Sequence, residues 1–251
     1  MNNILKYLSP TGIGTAIWQL TLPLAIFLGI ESGASWYWWA TSLFMWIIVY
    51  GMIGNNIAMH RYLTHGQFEV ATPYKYLFVW LGTMIGVGSP VSYAVTHLVH
   101  HKYPDTEHDL HGLGRGLKSI LICFQKTVDL KDSKVFSKRI VKLINEYGLM
   151  DRYYVLWFLF NAVILYLIDY KLFLFMWWIP ANITAWGIGW TVWVQHWGHK
   201  PTNGYFARWT PMFESYHANH HINPLNSNTA MRPGEIDWTH KLTKIFRPRY
   251  K

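Results

Sequence analysis

A single cysteine, Cys123, stands in the 251-residue chain, which excludes an intramolecular disulfide framework and any cysteine-rich zinc or iron–sulfur site. Charge is scarce too: Asp, Glu, Lys and Arg make up 14% of the residues, against about 25% in an average soluble domain. No HExxH segment occurs, which removes the common zinc-protease reading. The chain does not begin with a charged segment, a short apolar core and a small-residue cleavage site, so the first apolar stretch is expected to be retained. No repeat or low-complexity tract is visible, and 15 Trp, 16 Tyr and 13 Phe exclude a disordered chain. What is abundant is apolar residues (51%), histidine (13 residues) and positive charge (a formal +9). Beside long apolar runs, that charge points to an anionic membrane surface rather than to nucleic acid.

A helix crossing about 30 Å of hydrocarbon needs roughly 20 mostly apolar residues. Four stretches meet or approach that length: 13–30, 36–59, 148–168 and 172–194, with Pro23 and Pro180 inside the first and last. A fifth, 76–95, is interrupted by Gly82, Gly86, Gly88 and Pro90. If it does not cross, the two outer loops hold one basic residue, Lys171, and the rest of the 22 Lys and Arg collect on the other side, as the positive-inside rule expects. If it crossed, the basic cluster Lys131, Lys134, Lys138, Arg139 and Lys142 would be parted from Arg61 and Lys75. The expectation is therefore an all-α integral membrane protein of one domain over 1–251. It has four transmembrane helices, an interfacial or re-entrant helix over about 76–95 and a cytoplasmic histidine-rich cap, with both termini on the cytoplasmic side.

Three histidine clusters stand out: His60-Arg-Tyr-Leu-Thr-His65, His97-Leu-Val-His100-His101 and His217-Ala-Asn-His220-His221. Positions i, i+3 and i+4 share one face of a helix, so each HxxHH triplet projects three imidazoles together. Neutral imidazole is the commonest metal ligand. The i, i+5 pair lies about 140° apart on a straight α-helix and is expected where the second span ends and the chain turns, with Gly66 next in line. With 76–95 not crossing, all 13 histidines fall on the basic side. Eight ligands exceed the needs of one metal, so two metals are implied. Imidazole-rich ligation argues against a carboxylate-bridged di-iron bundle. Ligand type allows zinc or copper as well as iron; open positions for oxygen activation favour iron.

These residues resemble the membrane fatty acyl desaturase family, in the branch of Δ9 acyl-CoA and acyl-lipid desaturases. The HxxxxH, HxxHH, HxxHH series carries the likeness, with His101-Lys-Tyr-Pro-Asp105-Thr-Glu107-His-Asp109-Leu-His111, Glu214-Ser-Tyr-His217-Ala-Asn219-His220-His221 and Glu235-Ile-Asp237-Trp around it. It covers roughly residues 15–247. The resemblance implies a four-span protein whose cytoplasmic cap holds two iron ions on His60, His65, His97, His100, His101, His217, His220 and His221. A ninth histidine follows the fourth span in the family, and His196 is the choice here, with His199 second. A buried tunnel would take the acyl chain, and Phe44 and Ile48 on the second span are named for its floor, although lipid-facing residues would look the same. Ligating histidines need their other N–H held; Asp105, Glu107, Asp109, His111, Gln195, Glu214 and Asp237 are the candidates, the acids having a plain surface or capping role as the alternative. This sequence departs from the family at Val192, where an Asn is usual, at Ile57-Ala58-Met59 before the first box, and at Leu110.

An unactivated methylene offers neither an acidic proton nor a leaving group, so acid–base side chains cannot open it, and a metal–oxygen oxidant is required. The expected activity is O2-dependent formation of a cis double bond in a saturated fatty acyl chain carried by lipid, CoA or a carrier protein. A membrane alkane or lipid hydroxylase and a non-catalytic metal-binding membrane protein are the alternatives. The spans contain almost no ionisable residues, which weighs against a metal transporter. Neither a haem-binding segment of HPGG type nor a cysteine cluster is present, so electrons are expected from a separate ferredoxin or cytochrome b5.

Overall fold

The first apolar stretch is helical but broken once. Helix α1 (Ile13–Leu20) gives way at Thr21 to α2 (Leu22–Glu31), with Pro23 in the first turn of the second piece. Proline has no N–H to give the carbonyl four residues back, and here that carbonyl, on Gln19, accepts the indole N–H of Trp186 at 2.9 Å. The computed structural model describes residues 13–106, 108, 109, 111, 138–198 and 216–248, the side chains of 13, 193–198, 247 and 248 excepted.

Helix α3 (Trp36–Phe44) continues without a break into α4 (Met45–His65), which is wound in the wider π form. Together they make a 30-residue apolar helix, more than long enough to cross a bilayer. Gly66, at φ 63°, ends α4 in the left-handed conformation that glycine adopts without penalty. Arg139 also closes this end: its Nε donates to the Leu63 carbonyl at 2.8 Å and its Nη2 to that of Tyr62.

The stretch expected as one helix over 76–95 is instead two, α5 (Thr72–Met84) and α6 (Pro90–Lys102). Gly86 and Gly88 take positive φ between them, at 84° and 129°. The end of α5 is buried, and its last carbonyls are met from three other elements: Tyr154 hydroxyl on Thr83 (3.2 Å), Trp177 indole on Met84 (2.8 Å) and Trp18 indole on Ile85 (3.0 Å). Gly82 lies so close to α4 that a Cβ there would clash with Met59 Cγ and Sδ. The result is a hairpin packed into the bundle.

Helix α7 (Lys138–Arg152) meets α8 (Tyr154–Ile168) at a 60° bend. The stretch expected as a span over 148–168 therefore has a straight apolar part of only 15 residues. Helix α9 (Leu172–Trp178), again π-wound, runs into α10 (Ile179–Gly198). Pro180 leaves the Met176 carbonyl without its usual donor, and the Tyr50 hydroxyl supplies one at 2.9 Å. Three helical stretches are long and apolar enough to cross a membrane (Gly14–Glu31, Trp36–His65, Leu172–Val192), and a fourth if α7 and α8 count as one bent span. Short helices α11 (His217–Ile222) and α12 (Trp238–Thr243) follow, and strands β1 (Phe68–Glu69) and β2 (Arg247–Pro248) pair antiparallel, Phe68 opposite Pro248. Helix α4 is central: the core cluster gathers Tyr50, Ile57, Met59 and Leu63 from it with residues of α5, α6, α7 and α10.

Candidate metal centre

Three elements bring eight imidazoles together. On α4, His60 and His65 have ring centroids 4.8 Å apart. They do not meet because the helix has ended; α4 stays wound through His65, and π winding sets residue i+5 nearly above residue i. Thr64 fits the same winding, its hydroxyl donating to the Met59 carbonyl five residues back at 2.8 Å. Helix α6 presents His97, His100 and His101, and its start is secured by Ser89, whose side chain accepts the Ser92 N–H and bonds to Asp151. Helix α11 presents His217, His220 and His221 after Tyr216, which takes a left-handed φ of 61°.

The eight side chains sort into two groups. His60, His65, His97, His101 and His220 form one, and His100, His217 and His221 the other, with ligating nitrogens in each group within 4.8 Å of one another. Each HxxHH triplet is thus split: α6 gives two rings to the first group and one to the second, and α11 does the reverse. Nε2 of His220 lies 3.1 Å from Nε2 of His60, of His65 and of His101. In the second group His100 Nε2 is 3.1 Å from His221 Nε2 and 3.4 Å from His217 Nε2.

This arrangement suits a cation. One ring nitrogen carries at most one proton, so His220 can satisfy only one of its three nitrogen neighbours by hydrogen bonding, and neutral rings would leave lone pairs facing each other. Extra protons are no remedy. Burial, and after it the charges of neighbouring histidines, hold His97, His101 and His220 well below the ordinary histidine range. Neutral imidazoles with converging lone pairs are a metal-ready set.

Asp109 reaches a histidine of the second group. Its Oδ2 accepts the Nδ1–H of His100 at 2.7 Å, which leaves the bare Nε2 of that ring facing the second group. Burial alone would raise the Asp109 carboxyl, but the bond from His100 and the charges of His100 and His111 outweigh it and hold the group well below the usual carboxylate range. His111 is buried against His100, ring centroids 4.7 Å apart, and its backbone N–H donates to Asp109 Oδ1. Asp105 joins through its backbone N–H, which donates to Asp109 Oδ2 at 3.0 Å; its side chain is exposed. Asp237 holds Arg61 rather than a histidine: the guanidinium is buried and meets Oδ2 at 2.9 Å. The same oxygen accepts from the backbone and hydroxyl of Thr229, while Oδ1 caps α12 through His240 N–H. Glu107, Glu214 and His199 lie outside the described residues, as do the side chains of Gln195 and His196. For the tunnel, Ile48 packs against the core and Phe44 is 56% exposed.

Sequence reasoning gave no role to Asn219, which is buried between two ligands of α11 and donates to the Thr229 carbonyl and Glu235 Oε2 at 2.9 and 3.0 Å. Glu235 in turn accepts the backbone N–H groups of Met231 and Arg232. It also missed Tyr93, whose hydroxyl donates to Asn55 Oδ1 at 3.1 Å while its ring stacks on His97. The one available signal was polar residues, Asn55 and Asn56, inside an apolar span.

No family model matches the chain. Among curated proteins it is similar to the sn-1 stearoyl-lipid 9-desaturase of Anabaena variabilis, 26% identical over 89% of this chain and 85% of that one. It is 27% identical to the Acyl-CoA C20 Delta5-desaturase of Anemone leveillei over 78% of this chain and 67% of that one. It is 24% identical to Delta-9 acyl-lipid desaturase 1 of Arabidopsis thaliana over 84% and 73%. Taken with the order of the three histidine clusters and their convergence in space, these relatives support one reading: the chain is similar to the fatty acyl desaturases, which are oxidoreductases.

Proposed function

We propose that this chain is a desaturase that holds two iron ions on its two histidine groups and introduces a cis double bond, at the Δ9 position, into a saturated fatty acyl chain of a lipid or CoA ester. The observation that carries the reading is the convergence of eight ring nitrogens, six of them on buried histidines, in a group of five and a group of three. The five-histidine group has enough donors by itself. The three-histidine group has room for one more, and His196 on α10, a helix that packs against α11, is the proposed ninth ligand. Iron supplies, with O2 and two electrons, an oxidant able to take hydrogen from an unactivated methylene. The overall change balances as –CH2–CH2– plus O2, two electrons and two protons giving –CH=CH– and two waters.

The chain's own residues supply position and exclusion of water. Helices α4, α6 and α11 aim the rings; Asp109 fixes His100 as the tautomer protonated on Nδ1. Arg61 and Asp237 tie the end of the second span to the segment behind α11, so the first and third histidine clusters keep their register. Electrons come from a separate ferredoxin or cytochrome b5, and an acidic donor suits a chain of net charge +9. The metal groups and both termini are assigned to the cytoplasmic side, where the positive-inside rule puts the basic loops.

Gas chromatography of lipids from an expressing host tests this directly. The expected result is a new cis double bond, lost together with bound iron in His100→Ala and His220→Ala. A hydroxylated product would indicate the alternative oxygenation, and product formation by either variant would refute the ligand set.

A further inference from the structure

Helix α12 is inside out. Its buried residues are Thr239 and Thr243, 3% and 4% exposed, whereas Trp238 and Leu242 are 51% and 45% exposed and Ile245 just beyond is 79% exposed. A short helix on a water-facing surface normally shows the opposite distribution, with apolar residues inward. Lys241 and Lys244 are exposed alongside, and the Lys241 ammonium sits 4.3 Å from the Trp238 ring centroid. Tryptophan and leucine flanked by lysine is the pattern of a helix lying in a membrane interface.

The height of α12 agrees. Counting from Trp36, roughly 20 to 24 residues carry the second span through the hydrocarbon, so it ends between Asn56 and Met59. The Asn56 side chain donates to Thr239 Oγ1 at 2.9 Å, so the inner face of α12 is fixed at the level where the span leaves the bilayer. The segment is held there on its other side as well. Phe246 stacks on Phe68 at 5.2 Å and touches Tyr74 and Phe78 of α5, and β2 pairs with β1. Tyr74 and Leu77 on α5 are themselves 50% and 45% exposed. The outward apolar faces of α5 and α12 therefore adjoin each other around the spans.

We propose that α12 and the residues after it dock onto the bilayer as an interfacial collar, with Trp238, Leu242 and Ile245 inserted at the headgroup–acyl boundary and Lys241 and Lys244 meeting anionic headgroups. The occupant is lipid and not a protein partner: the face is continuous with the lipid-facing surface of the spans, and its charges complement acidic lipid.

The test places an environment-sensitive fluorophore on cysteine at position 242 or 245, in a Cys123→Ala background, with the metal-loaded protein in vesicles of phosphatidylcholine and phosphatidylglycerol. Cysteine at exposed Leu167 on α8 serves as the lipid-facing benchmark. At 242 and 245, lipid carrying a nitroxide near the headgroup should quench at least half as strongly as at 167, and aqueous iodide several-fold less than it quenches free dye. Efficient iodide quenching with no effect of nitroxide lipid would overturn the proposal. So would a signal that ignores lipid and responds only to added electron-donor protein. In protein without the introduced cysteine, the double variant Lys241→Glu, Lys244→Glu should lower enrichment of spin-labelled anionic lipid over its zwitterionic counterpart by about twofold. Unchanged enrichment would refute the role given to the two lysines.

Discussion

Asp109 is the residue through which the second histidine group is most open to a gentle test. Its carboxylate fixes the His100 tautomer without touching the proposed metal. Asp109→Asn keeps size and loses charge, and removing such an outer partner typically costs 10–100-fold in metal affinity. A competition titration with a chelator should show that loss while circular dichroism stays unchanged; unchanged affinity would remove Asp109 from the role. The histidines give a pH prediction for the metal-free protein. His97, His101 and His220 are held below their ordinary range in the fold, so the unfolded chain takes up protons below about pH 6.5 and the folded one does not. Stability is then flat above that pH and falls as pH drops beneath it, by up to about 1.4 kcal/mol per pH unit for each ring. Denaturation midpoints of the apo-protein between pH 8 and 5 check the sign; a midpoint that rises on acidification contradicts it. Which rings share a metal was not legible from the sequence, because HxxHH spacing places three imidazoles on one face and is silent on how a facing triplet divides them.

Among the elements, α4 departs most from what spacing suggested. The pair His60 and His65 reads as incompatible with one α-helical face, and π winding removes the conflict without ending the helix. Winding of this kind depends on neighbours and leaves no periodic mark, so the sequence showed only the problem. The prolines behave in the opposite way. Pro23 and Pro180 were visible inside the apolar runs, but their partners, Trp186 and Tyr50, lie more than a hundred residues away. The glycines of 76–95 were also legible as an obstacle to a crossing helix, and Gly86 and Gly88 do form the turn between α5 and α6. Gly82 has a different reason, close packing on Met59, the residue before His60. Gly82→Ala should therefore push Met59 and lower iron occupancy while the three long apolar helices persist. Full occupancy, read by metal analysis alongside far-ultraviolet circular dichroism, would show that the helices adjust without disturbing the site.

For the whole molecule, the patterned histidine clusters made a shared site legible in the sequence. Three long apolar helices and a bent pair now carry three elements whose ligands meet at one place. Long-range contacts that hold this place together were not legible: Arg61 to Asp237 spans 176 residues, and Asn56 to Thr239 spans 183. A buried guanidinium demands an acid, yet no local pattern says which. The central claim is that imidazoles from distant parts of the chain hold a pair of irons needed for desaturation. Elemental analysis of the purified protein, paired with turnover of the same sample, tests it most directly. About two irons per active chain are predicted, and full activity from a chain free of iron would contradict the account.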